Sequence, residues 1–340
     1  MDQEKLERLR QKYADADGSR YFGERFRRAG EMLASNPHAT RKPFSGVPTL
    51  LDLPYREDYA GLDVALVGVP LDLGVTNRSG ARHGPRAVRA IERVGPYHHA
   101  HDIVPAGLMH CADVGDVPFR SRFSLEQSRE DIESFYTGLT GAGVTPVSVG
   151  GDHSITHPIM RVLGANEPLG MLHIDAHCDS GGAYDGEKYH HGGPFRNAVL
   201  DGVLDPEHCI QIGIRGTAEI SAEFSYEAGM TVIHVEEFHM LGVERVIERA
   251  REVVGDLPLY VTVDVDGIDP AFTPGTGTPE VGGLTPLEVQ RVLRGLAGRR
   301  VVGGDVVEIA PQYDPTTNTA HVGAAMLFEI LCLVALGRTT

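Results

Sequence analysis

The sequence predicts an α/β fold in three layers, an α/β/α sandwich whose mainly parallel eight-stranded sheet carries helices on both faces. Three observations lead there. From Asp63 onward, short apolar runs alternate with helical patterns, the order that βαβ crossovers impose on a parallel sheet. The chain has 340 residues, 41% of them apolar, enough to bury the core of one large domain. Polar clusters follow the ends of several apolar runs, where the binding crevice of an open α/β sheet lies.

Residues 1–60 are more polar. Two helical patterns, EKLERLRQKYADA and YFGERFRRAGEML, precede a Pro-rich stretch, NPHATRKPFSGVPTLLDLPY. This reads as an N-terminal extension that packs on the core or on a neighbour, with residues 61–340 as the main domain. The candidate strands there are DVALVGVPLD, GLMHCADVG, TPVSVGGDHS, LGMLHIDAH, CIQIGIRG, TVIHVEE, LYVTVDVDGID and VVGGDVVEI. Between them GPRAVRAIERV, SLEQSREDIESFYTGLTGAG, GVERVIERAREVVG and TPLEVQRVLRGLAG have helical periodicity. The C-terminal run VGAAMLFEILCLVALG is interrupted by Glu329 and is shorter than the roughly 20 residues a spanning helix needs. It reads as a buried helix.

Acidic residues outnumber basic ones by 47 to 31, for a formal net charge of −16. That balance excludes a nucleic-acid partner held through phosphates and favours a soluble enzyme or carrier. The N-terminal MDQEKLERLRQKYADADGS has no apolar segment of the kind a signal or anchor requires. Cys111, Cys178, Cys209 and Cys332 are scattered, without a CxxC pair, which points to a reduced, cytoplasmic setting.

The chemistry gathers at four strand ends: GGDHS (Gly150 to Ser154), DAHCD (Asp175 to Asp179), DVDGIDP (Asp264 to Pro270) and EIAP (Glu308 to Pro311). If the chain stays extended after GMLHI, then Asp175, His177 and Asp179 share one face. The same alternation pairs Asp264 with Asp266, and His153 comes from a third tip. These six side chains, four carboxylates and two imidazoles, exceed a closed structural zinc site and suit two divalent ions sharing carboxylates. Without metal, such carboxylates repel one another and some of their pKa values rise. Asp152 and Asp269 read instead as a cap and a turn former. Cys178 reads as packing, since soft sulfur mismatches a carboxylate site.

GGDHS, DAHCD, HHGGPFRNA, DVDGIDP and VVEIAP, in this order, resemble the ureohydrolase (arginase/agmatinase) family over roughly residues 60–340. The resemblance implies an arginase-like sandwich around an eight-stranded parallel sheet, a dimanganese centre, and trimers or hexamers. It implies that His153, Asp175, Asp179 and Asp264 hold one metal and that Asp175, His177, Asp264 and Asp266 hold the other. His191 takes the place of a proton-shuttle histidine beside the non-catalytic His190. Glu308 takes the place of the carboxylate that engages a guanidinium. Arg78, in GVTNRSGARHGPRAVRA, stands in the substrate-side loop, where it would pair with a substrate carboxylate or form a structural salt bridge.

The implied reaction is guanidine hydrolysis to urea and an amine. A delocalised guanidinium is a poor electrophile, so it requires a nucleophile stronger than water, which two divalent ions supply by lowering the pKa of bound water toward about 7. Glu308 would orient the cation, Asp179 transfer the proton to the leaving amine and His191 exchange protons with solvent. DAHCDSGGAYDGEKYHHGGPFRNAV resembles the guanidino-acid hydrolases (guanidinopropionase/guanidinobutyrase) more than agmatinase, with Ser180 where a Thr is usual. The expected substrate is 3-guanidinopropionate or 4-guanidinobutanoate. The alternatives are agmatine, formiminoglutamate, a substituted guanidine or biguanide with Ni2+ in place of Mn2+, and a non-catalytic subunit of a hetero-oligomer.

Overall fold

The computed structural model describes residues 2–16, 23–34, 45–92 and 94–338. All eight apolar runs are strands: β1 Val64–Gly68, β2 Cys111–Asp116, β3 Thr145–Val149, β4 Leu169–Ile174, β5 Leu204–Ile214, β6 Thr231–His234, β7 Leu259–Asp264 and β8 Val301–Val307. They form one sheet in the order β2-β1-β3-β8-β7-β4-β5-β6, and every adjacent pair is parallel.

A parallel sheet must be covered on both faces because its crossovers run over them. Alternate residues show this: Val64 and Leu66 of β1 join one core with Leu172 and Ile174 of β4, whereas Ala65 and Val67 join the opposite core with Leu169 and Met171. Helices Val243–Val254, Pro286–Gly295 and Asn318–Arg338 cover the first face. Helices Leu125–Gly141, Thr156–Leu163 and Pro194–Leu200 cover the second. The three-layer α/β/α architecture expected from the sequence is present.

Two helices differ from their sequence patterns. The one beginning at Gly84 stops at Arg89, short of the predicted Val94, because the Ala90 amide closes the last turn and Ile91 enters the core. The C-terminal helix spans 21 residues, so by length and composition it could cross a membrane, which corrects the reading that it is too short. It is instead a core helix: most of it is buried against β8, and its Glu329 is paired with Arg294 and His98.

Of the N-terminal segment, helix Gln3–Tyr13 has no buried residue, whereas Arg27–Ala34 buries Ala29, Met32 and Leu33, the last two beside Val104. Residues 36–44 of the Pro-rich stretch lie outside the described residues. Leu50 and Leu53 are in the core.

The strand order positions the site. The tips carrying GGDHS, EIAP, DVDGIDP and DAHCD belong to β3, β8, β7 and β4, four consecutive strands of the sheet. Gly267 lets two of these tips meet: a β-carbon there would lie 2.7 Å from the Asp175 backbone nitrogen.

Candidate metal centre and active site

His153 is wholly buried on the short helical turn after β3. Its Nδ1 lies 3.1 Å from Asp175 Oδ2, 3.0 Å from Asp179 Oδ2 and 3.4 Å from Asp264 Oδ2. Its Nε2 is 2.9 Å from Thr262 Oγ1, which donates its own proton to Asp305. A hydroxyl has one proton, so Thr262 accepts from His153 and the imidazole proton sits on Nε2. The Nδ1 lone pair, without a hydrogen-bond partner, therefore faces three carboxylate oxygens. A second ring proton or a bound metal ion reconciles such a set of acceptors, and divalent ions take this nitrogen and oxygen donor set.

His177 faces the neighbouring position, with Nδ1 3.4 Å from Asp175 Oδ1 and 3.2 Å from Asp266 Oδ2. Asp175 thus touches both histidines. The six sequence candidates converge, with Asp175 at the centre. They do not converge through an extended strand, however. The backbone bends after Ile174, and Asp179 reaches inward from a left-handed conformation at φ 48°. Glu308 also has a positive φ, 63°. Backbone strain of this kind clusters at functional sites.

The electrostatics show the crowding. Burial and the charges of Asp266 and Asp175 push the Asp264 carboxyl well above the usual range, while burial and Asp175 push Asp266 up to about 6. Burial disfavours charge on Asp175 as well, but the surrounding histidines overcome it and hold this carboxyl well below the usual range. Burial likewise opposes protonation of His153, and the carboxylates override it, raising its pKa well above the ordinary value. Protons and metal ions therefore compete for this cage.

Glu308 lies beside the cage, almost completely buried. Its Oε1 accepts the His153 backbone N–H at 2.9 Å and lies 2.8 Å from His191 Nδ1. Its Oε2 has no partner. His191 Nε2 lies 3.1 Å from the Thr76 amide nitrogen and 2.7 Å from Thr76 Oγ1. Burial opposes charging of His191, yet Glu308 and nearby carboxylates draw its pKa up to about 9. His190 is committed elsewhere: Nε2 meets Gly182 O and Nδ1 accepts the Gly192 amide, pinning the loop.

A cavity of 340 Å³ opens over Asp179, His177, Asp264 and His191, with Thr76, Ser221, Thr278 and Tyr184 also on its walls. Arg78 is not brought to it. Its guanidinium donates to the carbonyls of Thr276 and Gly277 and stacks on Tyr313 at 4.3 Å. The capping reading of Asp152 agrees with its bonds to the Ser154 and Gly74 amides, and Asp269 accepts three turn amides. Cys178 packs with Ile214 and Ala222. Ser180 accepts from Ser225 at 2.7 Å.

Sequence reasoning missed several supporting groups. Gln211 Nε2 donates to Cys178 O and to His173 Nδ1. The carbonyl can only accept, which fixes the amide's orientation and places the His173 proton on Nε2, 2.7 Å from Asp175 Oδ2. Arg215 spends all its donors on the backbone carbonyls of Gly213, Asp266, Gly267, Glu280 and Val281. The available signal was a lone polar residue inside an apolar run, because buried polar groups are almost always hydrogen-bonded.

The arginase family model matches residues 62–333. The chain is 51% identical over 296 residues to guanidinopropionase of Pseudomonas aeruginosa, covering 86% of this chain and 93% of that one. It is 42% identical over 293 residues to the mitochondrial agmatinase of Gallus gallus, covering 85% and 86%. The solved proclavaminate amidino hydrolase of Streptomyces clavuligerus superposes with a TM-score of 0.83 at 35% identity, covering 87% of this chain and 100% of the other. Fold, site and relatives agree: the chain belongs to the arginase family and is a ureohydrolase, a hydrolase of C–N bonds in linear amidines.

Proposed function

We propose that this enzyme hydrolyses the guanidino group of a small ω-guanidino acid, 3-guanidinopropionate before 4-guanidinobutanoate, to urea and an amino acid. The observation that carries the guanidine reading is Glu308: one oxygen is tied down and the other is buried without a partner beside the cage. A buried carboxylate oxygen in that state calls for a cationic donor, and a guanidinium supplies one. The 51% identity to guanidinopropionase supports the shorter acid.

Arginase-family enzymes use a binuclear divalent metal centre, and the buried His/Asp groups here suit one. In our reading His153, Asp175, Asp179 and Asp264 hold one ion, and Asp175, His177, Asp264 and Asp266 hold the other. Mn2+ is the proposed metal, with Ni2+ as the alternative that N/O ligands also accept. When bound, the ions supply acidity that makes hydroxide available from water at neutral pH. Glu308 holds the guanidinium in line, Asp179 carries the proton to the departing nitrogen, and His191 returns protons to solvent.

A second reading, a substituted guanidine or biguanide, has one observation in its favour. No Arg or Lys is among the described residues lining the cavity, so a substrate carboxylate would meet hydroxyls such as Thr76, Ser221 and Thr278. Urea release measured over guanidino acids, agmatine, arginine and biguanides, with metal content, separates the two. Turnover of biguanides alone overturns the guanidino-acid reading.

We further read residues 1–60 as an extension on the catalytic domain, in keeping with a family match that starts at residue 62. A homo-oligomer, trimer or hexamer, is proposed, with exposed Ile220, Met240, Val281 and Leu287 available for contact. The full set of ligands with His191 and Glu308 favours a catalytic chain over an inactive partner. No disulfide joins the four buried cysteines, which suits a reducing, cytoplasmic setting.

A further inference from the structure

We propose that Asp305 is a positioning residue that acts through Thr262 to hold His153 in the one tautomer able to bind metal. This rests on the assignment of His153 as a ligand. Asp305 sits mid-strand in β8, fully buried, and its three partners are all hydroxyls. Thr262 donates to its Oδ1 at 2.5 Å, and Thr156 and Tyr260 donate to its Oδ2 at 2.7 Å each.

The geometry makes this more than a satisfied core carboxylate. A carboxylate only accepts, so the Thr262 proton is committed to Asp305. The Thr262 oxygen must then receive the His153 Nε2 proton, 2.9 Å away, leaving Nδ1 bare toward Asp175, Asp179 and Asp264. Metal-ligating histidines generally donate their other ring N–H in this way, which raises their basicity and fixes the ring. Here the donation passes through a hydroxyl, and the carboxylate behind it sets the direction of every proton in the chain. The relay also ties β8 and β7 to the turn after β3, whose tips form the cage.

Replacing the carboxylate with an amide allows the relay to reverse. In Asp305→Asn the amide NH2 can donate to Thr262, whose proton then turns toward His153 Nε2 and drives the ring proton onto Nδ1, against the metal. Shape and volume are nearly unchanged.

The test is Mn2+ affinity, measured on the full chain by competition with a chromogenic chelator, alongside the thermal midpoint of the metal-free protein. We expect D305N and Thr262→Val each to weaken binding about 10–100-fold, while Thr262→Ser, which retains the hydroxyl, stays near wild type. Tyr260→Phe removes a donor from Asp305 without touching the relay, so it lowers the metal-free midpoint and leaves affinity near wild type. If D305N fails to fold, the T262V and T262S pair decides. Wild-type affinity in T262V, or equal loss in T262S and T262V, overturns the relay. His153→Ala is the reference: unchanged metal binding there would mean that the ligand assignment itself is wrong, whereas weakened binding in H153A with none in T262V rejects only the relay.

Discussion

The backbone N–H of His153 donates to Glu308 Oε1 across 2.9 Å, joining residues 155 apart in sequence. The residue proposed to hold a metal therefore also anchors the carboxylate proposed to hold the substrate. That bond and His191 occupy one oxygen and leave the other buried without a partner.

Glu308→Gln should keep its shape and its bond to His153 but lose the charge that engages guanidinium. Loss of one charge-assisted contact to the reacting group should lower urea turnover about 100-fold or more. Metal content by ICP-MS should remain at the wild-type value. Wild-type turnover would place the substrate elsewhere.

Asp266 has His177 and Asp175 as neighbours and does not touch His153. Asp266→Ala should therefore empty one position and spare the other. Metal per chain should fall by about half, since two ions share the proposed cage, and urea release should collapse with it. Unchanged turnover would remove the binuclear mechanism.

Arg215 satisfies five backbone carbonyls, including those of Asp266 and Gly267. Arg215→Met would strand several buried acceptors at once, and a loss of about 3 kcal/mol or more in unfolding free energy is expected. Arg215→Lys should not restore it, because a single ammonium cannot match the planar fork. Denaturant unfolding of the three proteins measures both effects.

His157 Nε2 lies 2.9 Å from Asp201 Oδ2, and burial lowers the histidine pKa from 6.5 to about 4 despite that carboxylate. The unfolded chain therefore takes up a proton below pH 6.5 while the folded one does not until about pH 4. Stability from this group falls as pH drops through that window, by about 2 kcal/mol between pH 7 and pH 5. His157→Phe keeps a ring against Tyr189 and removes the titration. Urea unfolding of the chelated proteins at the two pH values should show a smaller acid loss in the variant. An equal loss would mean that His157 is already charged in the folded state.

Every strand and all six proposed ligands were legible in the sequence, because apolar runs, turn residues and clustered Asp and His are local features. Asp175, His177 and Asp179 come together as their spacing predicts, but not on one extended face, since the chain bends and Asp179 turns inward at positive φ. Local alternation cannot register a bend imposed by packing. Arg78 shows the same limit: its chemistry was legible, but the carbonyls it found at Thr276 and Gly277 lie some two hundred residues away.

By itself, then, the sequence determined which elements form and which side chains can coordinate, accept or donate, since both depend on residue type and short-range spacing. Only the tertiary structure decided that β3, β8, β7 and β4 stand side by side, and with that which nitrogen of His153 carries its proton and which oxygen of Glu308 is left over. Those choices depend on hydrogen-bond partners such as Thr262, Asp305 and Gln211, single polar residues inside apolar strands. Burial obliges each of them to find a partner, and the strand order alone names it.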